Sequence, residues 1–81
     1  MHRVVLYSRP GCHLCDVARE VLLSHRERMP FAFEEVDIED DQELELEYGI
    51  RVPVIEVDGE ERFETTVDPG ELAALVGSSS S

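Results

Sequence analysis

Cys12-His13-Leu14-Cys15 constrains this chain more than any other stretch. The pair follows an apolar run, Val4-Val5-Leu6-Tyr7, and a turn, Ser8-Arg9-Pro10-Gly11, and the chain has no other cysteine. From residue 13 to about residue 28 the apolar period is helical. Leu14, Val17, Ala18, Val21 and Leu22 share one face, His25 continues it, and Pro30 closes the segment. A strand, a turn and a helix that opens on a C-x-x-C pair is the layout of a dithiol redox centre. The spacing lets one sulfur reach the other across the first helical turn. It also sets the first sulfur beside unpaired backbone N–H groups, which favour a thiolate.

The rest of the chain reads as alternating short elements. Residues 3–7 form a short, continuous, β-branched strand. Residues 31–38 are a second strand whose alternation slips: Phe31 and Phe33 are odd, Val36 and Ile38 even. Burial on both faces, or a bulge, would tolerate that slip. Asp40-x-x-Glu43 resembles a capping box for a short helix with Leu44 and Tyr48 inward, ended by a left-handed Gly49. Residues 52–57 are a third strand with Pro53 at its entry, and Asp58-Gly59 is a hairpin turn. Residues 60–64 return as a charged edge strand. Asp68-Pro69-Gly70-Glu71 starts a helix with Leu72, Leu75 and Val76 inward and Gly77 as its stop. Residues 1–77 therefore read as one domain, followed by a serine tail, 78–81, expected to be disordered.

Charge narrows the partners. With 19 acidic residues against 7 basic ones, the formal charge is −12, which argues against a nucleic-acid partner. The acidity concentrates in residues 34–47, which lack the ligand spacing and central glycine of a calcium loop. That run reads as a solvated, partner-steering face. No stretch is long and apolar enough for a membrane span or a secretory leader, so the expectation is a cytoplasmic monomer with no membrane partner. In that compartment a C-x-x-C pair is a working dithiol or a metal site. His2, His13 and His25 are not arranged as a second zinc-binding pair, and Asp16 after Cys15 rules out haem attachment.

Tyr7-Ser8-Arg9-Pro10-Gly11-Cys12-His13-Leu14-Cys15 resembles the active-site segment of the glutaredoxin-like branch of the thioredoxin superfamily. Arg51-Val52-Pro53-Val54 resembles that family's second signature, a Val-Pro with a cis proline peptide, and the spacing between the two matches. The resemblance is nearest to glutaredoxin-like proteins with a Cys-His-Leu-Cys centre. It implies an α/β, thioredoxin-like (glutaredoxin-type) β-α-β-α-β-β-α fold, a four-stranded mixed sheet flanked by helices. The chain departs from dithiol glutaredoxins at His13-Leu14, where they carry Pro-Tyr, and at Arg51, where they carry threonine. Glu64-Thr65-Thr66-Val67-Asp68 replaces their Gly-Gly turn and acidic pair, leaving Asp68 as the one counterpart of the glutathione-holding residues.

The resemblance implies that Cys12 attacks a disulfide in a protein or small molecule, and that Cys15 resolves the mixed disulfide. Arg9, Val52, Pro53 and Asp68 are the substrate-binding candidates, with Pro53 facing the sulfurs and the Val52 backbone free to pair with an extended segment. Tyr7, His13 and Arg51 are supporting residues. Tyr7 packs at a strand end, His13 is an exposed first-turn residue, and Arg51 pairs with the acidic helix or holds a carboxylate. The Cys12 thiol is expected below the free value of about 8.5. No bound cofactor or metal is expected, and glutathione or a reductase would supply electrons. Two other readings stay open: a redox-sensitive protein-binding module, and an iron–sulfur carrier that shares a cluster between two subunits.

Overall fold

The computed structural model describes residues 2–28 and 30–77, without the side chains of residues 76 and 77. Strand β1 (Arg3–Ser8) leads into helix α1 (His13–Arg26), followed by β2 (Ala32–Asp37) and a short 3-10 turn (Ile38–Asp40). Then come α2 (Gln42–Tyr48), the β3–β4 hairpin (Val54–Val57 and Glu60–Glu64) and α3 (Pro69–Gly77). The four strands form one sheet in the order β2-β1-β3-β4. The β1–β2 pair is parallel, and the other two pairs are antiparallel. This is the expected element order and a mixed sheet. The proposed tail, 78–81, lies outside the described residues.

Alternation along the strands builds two cores. Val4 and Leu6 of β1, with Ile55, Val57 and Phe63, pack against Ala18 and Leu22 of α1, Phe31, and Leu72 of α3. On the other face Ile38, Tyr48 and Val54 form a smaller cluster with Tyr7, Leu44 and Val52. Full burial of one such large side chain contributes about 1.5–3 kcal/mol, so a chain this short depends on each. Period two also makes Ser8 the last inward residue of β1, and it is 4% exposed.

The second strand corrects the sequence reading. It is an edge strand paired one-to-one with β1, neither buried on both faces nor bulged there. The slip arises because Phe31 precedes the strand and Ile38 begins the 3-10 turn, and each fills a different core. The α2 cap is Asp41, whose carboxylate accepts the Glu43 N–H at 2.8 Å, while Asp40 still belongs to the 3-10 turn. Gly49 is right-handed, at φ −49°, and a Cβ there would run into the Glu45 carbonyl oxygen. Close approach therefore selects glycine at that position. Helix α1 stops at Arg26, with residues 27 and 28 in a turn.

The hairpin is as read: Asp58 (φ 54°) and Gly59 (φ 86°) are both left-handed, as a two-residue turn between twisted strands requires. Asp58 also pins the hairpin to β1. Its carboxylate accepts the Arg3 N–H at 2.9 Å and meets His2, and these contacts hold its carboxyl below the usual range.

Candidate active site

Strand β1 delivers the chain to the C-terminal edge of the sheet, and Gly11, at φ 74°, turns it into α1. Cys12 is the N-cap residue of that helix. Its Sγ accepts the Cys15 N–H at 3.2 Å, and its carbonyl accepts the Asp16 N–H at 3.1 Å. The sulfur thus takes the place of the oxygen that usually satisfies a first-turn donor. Cys15 lies one turn on, with a Cα–Cα distance of 5.2 Å, and the two are joined as a disulfide. The partners differ in access: Cys12 is half-buried, whereas Cys15 is 0% exposed. This is the asymmetry that attack from outside and resolution from within require.

Around this pair the sequence candidates fall in different places. His13 is exposed at the helix start. The Val52–Pro53 peptide is cis, and Pro53 is buried. The Thr65 N–H, from the loop after β4, donates to the Pro53 carbonyl at 2.7 Å and to the Arg51 carbonyl at 3.2 Å, which ties the two loops together. Tyr7 stacks on Tyr48 with ring centroids 4.4 Å apart and donates to Glu56 at 3.3 Å. Burial and then the Glu56 charge push its phenol up to about 12. Tyr7 thus packs on Tyr48 at the end of β1. Asp68 caps α3, accepting the Gly70 and Glu71 N–H groups at 2.9 and 3.3 Å.

The arginines are where sequence reasoning fell short. Arg9 turns toward α2, donating to the Gly49 carbonyl at 3.3 Å and to Glu45 at 3.5 Å, with Glu39 3.7 Å away. Arg51 lies over the Tyr48 ring and donates to Glu61 and Glu64 at 3.1 and 3.2 Å. From α2 it takes the Tyr48 ring and donates to the Glu47 carbonyl, but among the described residues it pairs with no carboxylate of that helix. Both carboxylates come from β4, not from the run at 34–47. The irregularity at Ile55–Glu56 explains how: Glu61 pairs with Glu56 and Glu64 with Val54, so one extra residue brings both glutamates to one face.

A third cluster escaped the sequence altogether. Glu35 takes a two-pronged contact from Arg19 and accepts the Ser8 hydroxyl at 2.8 Å, while Arg19 also reaches Asp16 at 2.8 Å. Arg19 is the main cause that holds Glu35 below the usual carboxylate range. A cleft of about 330 Å³ opens here, lined by Ser8, Arg9, Pro10, Arg19, Glu35 and Asp37. The one available signal was Ser8, a buried hydroxyl that needs a partner.

Among the described residues, no three His, Cys, Asp or Glu side chains converge where they could hold a metal ion. An iron–sulfur cluster takes four ligands, and this chain offers two sulfurs, one of them fully buried. The donor set of one chain therefore does not fit a cluster.

A mixed four-stranded sheet with a C-x-x-C pair at the mouth of its first helix defines a thioredoxin-fold dithiol protein. Comparison with known proteins narrows the class. Residues 3–77 match the glutaredoxin-like domain family (DUF836), and the chain belongs to it. A structural-genomics target protein from X. campestris is 41% identical, with a TM-score of 0.75, covering 93% of this chain and 96% of its own. A protein from Nitrosomonas europaea is 26% identical at a TM-score of 0.75, covering 96% and 89%. A point mutant of thioredoxin from Halobacterium salinarum is 26% identical at a TM-score of 0.70, covering 95% and 73%. No curated protein matches the chain. The fold and the cysteine pair support a redox function.

Proposed function

We propose that this protein is a thiol–disulfide oxidoreductase that reduces disulfides in proteins or small molecules. The observation that carries the reading is the pairing of a half-buried Cys12 at the mouth of α1 with a fully buried Cys15 close enough to bond it. In the reduced protein the Cys12 thiolate attacks a substrate disulfide, bonds to one sulfur and expels the other as a thiol. The Cys15 sulfur then attacks the Cys12 sulfur, breaks the mixed disulfide and releases the second thiol. The protein dithiol loses two electrons and the substrate gains them. The α1 dipole and the Cys15 N–H stabilise the attacking anion. The edge formed by Val52 and Pro53 receives an extended substrate segment. Glutathione or a reductase returns the electrons, and the protein acts as a cytoplasmic monomer.

The test is mass spectrometry of trapped intermediates. Cys15→Ser should accumulate a mixed disulfide at Cys12, and Cys12→Ser should abolish exchange. Full exchange by Cys12→Ser would overturn the assignment. Turnover with glutathione and its reductase, set beside turnover with thioredoxin reductase, identifies the electron donor.

A further inference from the structure

Three arginines surround the end of the fold that presents the dithiol, and each is held between two carboxylates. Arg9, in the turn before Cys12, lies between Glu39 and Glu45. Arg19, one turn beyond Cys15, lies between Asp16 and Glu35. Arg51, just before Val52 and Pro53, lies between Glu61 and Glu64. The arginine side chains are 32%, 32% and 33% exposed, whereas five of the six carboxylates are 39–64% exposed, so the negative ends of these pairs face solvent and are open to salt screening. Each trio is net negative. His13 is the one basic side chain beside the pair without a carboxylate partner among the described residues, and even charged it leaves the ring of trios negative. The whole chain, at −12, adds to the same field.

An anionic disulfide, such as glutathione disulfide with its excess of carboxylates, meets like charge here and no unpaired guanidinium to hold it. Resting on the reading of Cys12 as a nucleophile, we propose that this dithiol selects cationic disulfides, those flanked by ammonium or guanidinium groups as in a basic polypeptide segment. The chemistry is the two-step exchange above, and charge acts on the approach of the disulfide to Cys12.

The test is single turnover with the pre-reduced, desalted protein and two small disulfides: cystamine, which is cationic, and 3,3′-dithiodipropionate, which is anionic. Samples are quenched with iodoacetamide, and loss of both thiols is followed by intact mass. Each rate is divided by that of β-mercaptoethanol with the same disulfide, which removes intrinsic reactivity. At low salt, cystamine should lead by about tenfold, the lower end of steering effects. The lead should shrink toward parity in about 0.5 M NaCl, where screening lengths fall to a few ångströms. The double substitution Glu39→Gln with Glu45→Gln, which frees Arg9, should cut the lead by about two- to threefold. A normalised ratio of one or below, or one that salt does not reduce, overturns the charge selection and leaves dithiol exchange standing. Thiols that survive both disulfides overturn the exchange reading, and the selection with it.

Discussion

Replacing Thr65 by glycine should stabilise the protein. Thr65 sits at φ 70°, in the left-handed region, where a β-branched side chain crowds the backbone. That conformation costs an L-residue about 1–2 kcal/mol. The side chain is exposed, so removing it sacrifices no core contact, and the bonds to Pro53 and Arg51 come from the Thr65 N–H, which glycine keeps. Against the relief stands the greater freedom of glycine in the unfolded chain, about 0.5–1 kcal/mol. The net gain is about 0–1.5 kcal/mol, centred on roughly 0.75 kcal/mol. For a domain of this size the central value raises Tm by roughly 3–6 °C. The assay is urea and thermal unfolding of the oxidised protein, with Thr66→Gly as the control, because Thr66 has no positive φ to relieve. The control should lose about 0.5–1 kcal/mol. Equal destabilisation by both substitutions would refute the claim that Thr65 is strained.

Other outcomes follow from single contacts. Asp68→Ala should cost about 1 kcal/mol through loss of the α3 cap, while Asp68→Asn keeps the cap; slowed exchange in the asparagine variant would support Asp68 as a substrate-binding residue, and an unchanged rate would limit it to the cap. Glu35 is held below its unfolded value, so its contribution to stability is present above that value, about 4.3, and is lost as pH falls through the lower folded one. Glu35→Gln should therefore flatten the acid limb of stability below about pH 5 in urea titrations, and an unchanged slope would show the Arg19 contact to be idle. Leu22→Ala should cost about 2–5 kcal/mol, read as a lower urea midpoint at constant slope.

Backbone pattern was legible where local chemistry decides the outcome. The Asp58-Gly59 turn, the Asp68-Pro69 helix start and the strand-turn-helix around Cys12 each involve a few adjacent residues whose conformational needs point one way. The second strand was misread at its ends, because Phe31 and Ile38 satisfy different cores on opposite faces of the sheet. Periodicity records that a residue is buried, but not which element it belongs to. Thr65 was illegible by propensity, since no local rule places a β-branched residue at positive φ; the tie to Pro53 and Arg51 holds it there.

Charge was the least legible feature, for a physical reason that bears on function. An ion pair forms between side chains brought together by topology. Arg51 meets Glu61 and Glu64 only because β4 runs back along β3 with an extra residue near its middle. Arg9 meets Glu39 and Glu45 because the 3-10 turn and α2 fold over the end of β1. From sequence, Arg9 beside Cys12 is a substrate-binding candidate, and Arg51 beside Pro53 pairs with the acidic helix or holds a carboxylate. In the fold each faces two carboxylates, and an acidic ligand would have to displace them. An arginine freed on binding loses one partner for each it gains, so the net attraction for a carboxylate is small. A cationic group gains at the same positions, because the second carboxylate of each trio remains incompletely neutralised. Arg9, Arg19 and Arg51 each bridge two carboxylates, and each trio keeps one net negative charge.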